Sequence, residues 1–435
     1  MNRSAACDLS AGQAPITGMF PRLVHRALGR LEQGTLTVCH GSSEYRYGRG
    51  SPSAVVRVRH DRFYRRVVLG GTVGAAESYM DGDWDCDDLV ALVRILAVSG
   101  EPLTRLNGPG AWLVRGIDRL AHAVRRNSLR GSRRNIEAHY DLSNAFFETF
   151  LDSRMMYSSA VYESPDMTLE EASRAKLERL CRKLELGPDD HLLEIGTGWG
   201  GLAVYAAGRF GCRVTTATIS PAQYEAAVDR VREAGLQDRV EILLADYRDL
   251  GGCYDKVVSV EMVEAVGHQY LDTYFEVLSR LARPGGLIAL QAITIEDRYY
   301  KSALRSVDFI KKHIFPGSFL PCVSVLIDTA ARNGDAVLVN LEDIGLDYAV
   351  TLADWRERVE ASAQQLEVMG FDERFQRMWR MYLCYCEAGF RERTISDVQL
   401  LFAKPGYRQQ PWRAPLSLPS GELFLVQTST AAETP

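Results

Sequence analysis

Chemistry is most concentrated in the segment Leu192-Leu193-Glu194-Ile195-Gly196-Thr197-Gly198-Trp199-Gly200-Gly201. An apolar run reads as a buried strand that ends in an acid and a glycine turn, and the helical pattern LAVYAAGRF follows. Glycine lets the backbone turn tightly and lets a ligand approach it closely. Two cofactor readings compete. The dinucleotide fingerprint needs G-x-G-x-x-G, but the spacing here is G-T-G-W-G-G. An S-adenosylmethionine (SAM) site fits better, with Gly196, Gly198 and Gly200 in the turn and the Glu194 carboxylate facing the cationic methionine portion. Further along stand Thr218-Ile219-Ser220 and Gln223, a hydroxyl and an amide placed for a ribose, with no acid to suit NAD. Asp246-Tyr247 offers a carboxylate to an adenine amino group and a ring to stack on it. Singly, each is compatible with a strand-end hydroxyl or a loop aromatic; together they favour SAM.

These residues fall at the ends of regularly spaced elements. The runs HLLEIG, RVTTATI, VEILLAD, YDKVVSVEM and GLIALQAI alternate with amphipathic helical patterns, as in a parallel sheet covered by helices. Before them, residues 1–104 are Arg-rich, with strand-like TLTVCH and SAVVRVRH and a helical LVALVRILAV that the acidic turn DGDWDCDD could cap. The expected organisation is an amino-terminal lipid-interaction domain (1–104), a basic linker helix (105–135), a catalytic domain (136–404) and a loose tail (405–435).

Charge is unevenly shared. Residues 1–134 hold 20 Arg, no Lys and 12 acids, a balance of +8 within a chain whose net charge is −5. The densest part is 105–134, interleaved with Trp112, Leu113, Ile117 and Leu120. Such a stretch could lie on an anionic lipid surface, bind nucleic acid, or be a solvated helix joining two domains. After the fourth strand comes Ser259-Val260-Glu261-Met262-Val263-Glu264. The Asn/Asp-Pro-Pro-Tyr segment that holds a planar nitrogen in many methyltransferases is missing there. That argues against nucleic acid and leaves a phospholipid surface as the polyanion.

Composition excludes other classes. A hydrophobic content of 46% supports a packed core, and no apolar run approaches the roughly 18 residues of a membrane span. The start of the chain shows no secretory signal pattern. The nine Cys are odd in number and scattered, closest as C-x-C, which points to reduced thiols and no metal site. A cytoplasmic protein attached to the inner face of the membrane is expected.

The chain resembles the cyclopropane-fatty-acyl-phospholipid synthases. The matching segments are GAAESYMDGDWDCDDL from Gly74, NIEAHYDLSNAFFETFLD from Asn135, MYSSAVY from Met156, and LEIGTGWGGLA from Leu193. They continue in order with TISPAQ, ADYRDL, VEMVEAVG, FIKKHIFPGSFLP, DYAVTLADW and CEAGF, reaching about residue 404. The resemblance implies an α/β fold of the class I SAM-methyltransferase (Rossmann-like) type, with a helical cover over an acyl pocket and a smaller amino-terminal domain. The insertion at 295–335 and helices at 354–394 would supply the cover. It implies addition of a methylene across the double bond of an unsaturated phospholipid acyl chain, and a homodimer.

The chemistry sets requirements that residues can be matched to. Attack of an alkene on the sulfonium methyl leaves a carbocation, which must be kept from water, stabilised and deprotonated. Aromatic faces do the stabilising, at about 2 kcal/mol or more per desolvated pair; Phe146, Phe147, Phe150, Tyr157, Phe309 and Phe315 are the available rings. In the family the base is taken to be bound bicarbonate. The resemblance carries its binding groups onto Glu264, Tyr348, the Ile293 amide and Ser159, places Tyr157 and Ser158 against SAM, and matches Cys386 to a cysteine once proposed as catalytic. Three departures stand out: Gln291 stands where the family has a pocket histidine, Ser159 replaces a cysteine and is harmless if only its backbone amide is used, and Ala265 replaces the histidine after the Glu. Gln291 carries no positive charge. If bicarbonate is not held, the product could be a methylene- or methyl-branched chain instead of a ring. A small-molecule methyltransferase, or a SAM- and lipid-binding protein without turnover, stays open as a further reading.

Overall fold

The computed structural model describes residues 16–99 and 143–413; the basic stretch expected at 105–135 lies outside the described residues. Eleven strands form two sheets among these residues. In the first, β1 (Gly34–His40) lies between β2 (Ser43–Arg49) and β3 (Ser53–Val58), and β4 (Trp84–Cys86) closes the order β2-β1-β3-β4. The second is built from β5 (His191–Ile195), β6 (Arg213–Thr218), β7 (Val240–Leu244), β8 (Tyr254–Val260), β9 (Ala282–Ile295), β10 (Val337–Asp343) and β11 (Ile395–Ala403). Its order is β10-β11-β9-β8-β5-β6-β7, parallel from β7 to β9 and antiparallel around β11.

The five expected strands of the larger sheet are all present. β2, β4, β10 and β11 were not anticipated. β10 and β2 are half-exposed edge strands; β2 has no apolar run and that of β10, Val337-Leu338-Val339, is short. β11 is buried along most of its length but carries Asp397 and Gln399, which break its apolar pattern.

Local signals explain the helices that face the cofactor end. The helix Leu169–Lys183 starts with a complete capping box, Thr168 bonding the Glu171 amide and Glu171 reaching back. Pro221 opens the helix Pro221–Glu233 behind the N-cap Ser220. Asp88 caps the helix Leu89–Val98 by accepting from the Ala91 amide at 2.8 Å, as the acidic turn suggested.

The order reverses between β5 and β8, and the crevice at their carboxyl ends is where open α/β sheets bind ligands. Over that crevice lie the insertion after β9 and the helices Gly345–Ala361 and Glu373–Arg391. These cover helices share one continuous hydrophobic core with the amino-terminal sheet, from Val24 and Leu36 through Trp84 to Trp355 and Trp379. Arg377 stitches the two. Its guanidinium lies 4.0 Å from the Tyr79 ring centroid, donates to the Trp84 carbonyl at 2.8 Å and pairs with Asp85 at 2.8 Å.

At the centre of this core, Phe146 is fully buried and packs edge-on against Phe147, Phe150, Phe375 and Trp379. Phe146→Ala should therefore lower unfolding stability by about 3–5 kcal/mol, the cost of an aromatic deletion in a packed core. Urea denaturation checks this; a loss within error of zero would mean the cluster does not hold the cover in place.

Candidate active site

A cavity of about 1040 Å³ joins the carboxyl ends of β5, β6 and β8 to the amino-terminal layer. Its cofactor end is lined by Tyr157, Ser158, Glu194, Gly196, Gly198, Gly201, Thr218, Gln223, Asp246 and Tyr247. Gly196 and Gly198 hold positive φ of 99° and 52°, and a Cβ at Gly198 would meet nothing within 4 Å, so that part of the turn is open to a ligand. Gly200 is turned the other way. Its Cβ would stand 3.2 Å from the Cβ of Ala227, so it serves helix packing and not the ligand. Gly201 does face the cavity, under the loop that carries Met155–Ser158: a Cβ there would lie 2.6 Å from the Arg154 carbonyl and 2.7 Å from Met156 Sδ.

Glu194 sits at the end of β5, buried, accepting from the Thr216 hydroxyl at 2.7 Å. Burial raises its pKa to about 8, against the Thr216 bond and the charge of Lys176. A cation arriving beside it would reverse that shift, which is what a sulfonium-bearing cofactor provides. The Thr218 hydroxyl donates to Gln223 Oε1 at 2.9 Å, so the two act as a pair. Asp246 is gripped by Arg248 through Nε at 2.8 Å and a terminal nitrogen at 2.7 Å. Beside it the buried Tyr247 hydroxyl has no hydrogen-bond partner among the described residues. These residues fit SAM.

The turn after β8 brings two carboxyls to the cavity. Glu264 Oε1 accepts from the Ile293 amide at 2.6 Å; its Oε2 is buried without a partner among the described residues. Burial, then the charge of Glu261, pushes its pKa up to about 8. Glu261 was not singled out from the sequence. It adopts a left-handed backbone, φ 46°, and collects three donors: the Ser159 amide at 2.8 Å, Gln291 Nε2 at 2.7 Å and the Tyr348 hydroxyl at 2.7 Å. A non-glycine residue in that region is strained and tends to mark a functional site. Asp397 of β11 is a second residue that was missed, buried and accepting from Gln291 Nε2 at 2.9 Å. Burial, then Glu261, drives its carboxyl pKa well up. A third is Lys176, fully buried, donating to Ser158 Oγ at 2.6 Å amid the charges of Glu261, Asp152, Asp397 and Glu194. The signal that could have found Glu261 is an acid ending a buried strand, as at Glu194. No comparable signal marks Asp397 or Lys176, whose partners lie far away in sequence.

The expected bicarbonate site does not fit this arrangement. The four donors matched to it, Tyr348, Ser159, Gln291 and Ile293, all bond the chain's own carboxylates. An anion there would meet the Glu261 carboxylate directly, an unfavourable burial of like charge. Gln291 and Ser159 also do not line the cavity; Glu261 stands between them and it. Cys386 does line the wall, but burial pushes its thiol far up, which leaves it protonated and a poor nucleophile. Among the expected rings, Tyr157, Phe309 and Phe315 line the cavity, joined by Phe319, Tyr348, Tyr382 and Phe390. Phe146, Phe147 and Phe150 are plain core instead, sealed behind Tyr157 and Trp379.

The sheet order and the glycine turn define a SAM-dependent methyltransferase. More narrowly, residues 127–400 match the family model described as mycolic acid cyclopropane synthetase, and the chain belongs to that family. It is 39% identical over 363 residues to the tuberculostearic acid methyltransferase UfaA1 of Mycobacterium tuberculosis, covering 82% of this chain and 84% of that one. It is 37% identical to the cyclopropane-fatty-acyl-phospholipid synthase of Escherichia coli K12, covering 82% of this chain and 89% of that one. The solved mycolic acid cyclopropane synthase CmaA1, complexed with SAH and CTAB, superposes with a TM-score of 0.59 at 30% identity. That match covers 62% of this chain and 98% of CmaA1.

The tight seat of Gly201 makes a prediction. Gly201→Ala should force the 154–156 loop away at a cost of about 1–3 kcal/mol, seen as weaker SAM binding in calorimetry. An unchanged Kd would show that the loop yields freely.

Proposed function

We propose that this chain methylates the double bond of an unsaturated phospholipid acyl chain, and that the resulting cation closes to a cyclopropane by losing a proton to Glu264. The observation that carries the reading is the Glu264 carboxyl itself. One oxygen is pinned by the Ile293 amide and the other is unpartnered and buried, in the cavity that also holds the cofactor turn. SAM supplies the electrophilic methyl group. The alkene π electrons form the new carbon–carbon bond as the methyl–sulfur bond breaks, its electron pair staying on sulfur in the departing thioether, and the electrons of a C–H bond on the transferred methyl then close the ring. The released proton passes to Glu264. Tyr157, Phe309, Phe315 and Phe390 wall the acyl path with aromatic faces suited to a transient cation.

The far end of the cavity is apolar and comes from the amino-terminal layer: Gly70, Gly71, Val73, Leu92, Val93 and Leu96. The helix Arg62–Met80 kinks at Gly71, and a Cβ at Gly70 would meet nothing within 4 Å. The methyl-terminal part of the acyl chain is placed there. Gly70→Phe should fill that space and shift use toward shorter chains at unchanged SAM affinity; an unaltered chain-length profile would remove the acyl path from this end.

A second reading, a methylene- or methyl-branched product, is favoured by Gln291, which puts no cationic side chain among the donors around the two carboxylates. The relative named as a tuberculostearic acid methyltransferase keeps that outcome within reach of the family. Lipids from a host expressing the chain and fed methyl-labelled methionine distinguish the two. A labelled product of added CH2 that resists ozone supports the ring; one cleaved by ozone supports the methylene branch. No labelled lipid, in a host with unsaturated phospholipids, removes the substrate class.

A base must be ionised to act. With its pKa raised to about 8, Glu264 is protonated below that value, so kcat/KM should climb as pH rises toward 8 and level off above it. Glu264→Gln should abolish product. Glu261→Gln removes the neighbouring charge that helps raise this pKa, so the limb should move to lower pH. A rate profile flat from pH 6 to 9, all the while limited by chemistry, would exclude Glu264 as the base.

A further inference from the structure

Three polar side chains stand abreast across the larger sheet, one on each of three strands. The register pairs Gln291 of β9 with Gln399 of β11, and Gln399 with Glu342 of β10. Lys183, the last residue of the helix Leu169–Lys183, donates to Gln399 Oε1 at 2.9 Å and pairs with Glu342 at 2.6 Å. Gln399 Nε2 donates to Gln291 Oε1 at 3.0 Å. Gln291 Nε2 then gives its two hydrogens to Glu261 at 2.7 Å and Asp397 at 2.9 Å. The result is a continuous hydrogen-bonded line from the sheet's edge to the carboxylates beside the cavity.

A glutamine amide has a donor end and an acceptor end of nearly the same shape, so packing does not distinguish its two orientations. If Gln291 turned over, its oxygen would face the Glu261 carboxylate, and a buried acceptor would lose its donor. Gln399 is ambiguous in the same way. An ammonium is not: it has three donors and no acceptor. Lys183 must therefore meet the oxygen of Gln399. That sets the Gln399 nitrogen toward the Gln291 oxygen and both hydrogens of Gln291 toward the acids. Lys183 is itself 2% exposed and does not line the cavity.

We propose that Lys183 is a positioning residue for the reaction: acting through Gln399, it sets the orientation of the Gln291 amide and so holds Glu261 and Asp397 in place. The kinetic part of this inference rests on the proposed function; the orientation itself does not.

Three variants of the full chain test it: Lys183→Met, Lys183→Arg and Gln399→Glu. The carboxylate introduced by Gln399→Glu would keep the Lys183 partner and nearly the same shape, yet offer Gln291 an acceptor where it needs a donor. The groups that face Glu261 and shape any pH profile are Asp397 of β11, Glu264 of the turn after β8, Tyr348 of the helix Gly345–Ala361 and Lys176 of the helix Leu169–Lys183. In protein labelled with side-chain 15N-glutamine, the Gln291 amide is assigned by its disappearance in Gln291→Met. It should exchange slowly in the parent chain and in Lys183→Arg, and fast in Lys183→Met and Gln399→Glu. In those two variants kcat should fall roughly tenfold to a hundredfold, the scale for loss of an outer partner that orients a reacting group. The KM for SAM should stay unchanged and the pH–rate limb should move. A Gln291 amide and a pH–rate profile unaltered in both variants would overturn the proposal. If the parent chain methylates no lipid, the function fails, and the exchange measurement still decides the relay.

Discussion

The controlling constraint in this protein is the burial of negative charge beside an apolar cavity. Glu194, Glu261, Glu264 and Asp397 are gathered around the carboxyl ends of the central strands, and an isolated carboxylate there would cost several kcal/mol. The surrounding structure answers that cost with donors. Two backbone amides, the Gln291 amide, a tyrosine hydroxyl, a threonine hydroxyl and the buried ammonium of Lys176 are directed at these acids or placed among them. Where donors run short, burial raises the pKa, to about 8 at both Glu194 and Glu264. Those are the acids with most to gain from a nearby cation.

The same constraint accounts for the architecture around the site. The cavity wall is shared between parts of the chain that are distant in sequence. The cover helices seal one side with aromatic rings and dock on the amino-terminal sheet through a common core. Arg377 reinforces that junction with a stacked ring, a carbonyl and an aspartate. The amino-terminal layer is thus part of the cavity wall and not merely an attachment.

Much of the fold was legible before any coordinates. Five apolar runs, separated by amphipathic patterns, became β5 to β9, and the acidic turn before Leu89 became an N-cap. The cofactor end was legible as well, because its residues lie on short consecutive stretches at strand ends. Legibility failed in two places. Edge strands such as β10 carry only a short apolar run, Val337-Leu338-Val339, that is partly exposed. Gly200 was read as part of the cofactor turn, and Phe146, Phe147 and Phe150 as rings available to a cation, yet they face Ala227 and the aromatic core. Residue type shows that a glycine or a ring is available. Which way it points depends on the neighbour packed against it.

The class of chemistry follows from the amino-acid order alone: an acid before a glycine turn, hydroxyl, amide and aromatic groups at the next strand ends, and an ordered set of family segments. These are local patterns, and local geometry follows from φ/ψ preference and hydrophobic period. Only the tertiary structure decided which carboxylates meet and what holds them. Glu261 comes within hydrogen-bond reach of Ser159, Gln291 and Tyr348, and Lys183 of Gln399, across separations of up to 216 residues. Such contacts are set by strand register and by helices packing on the sheet. The direction of an amide, and which acid its hydrogens serve, become physical only after the chain has closed.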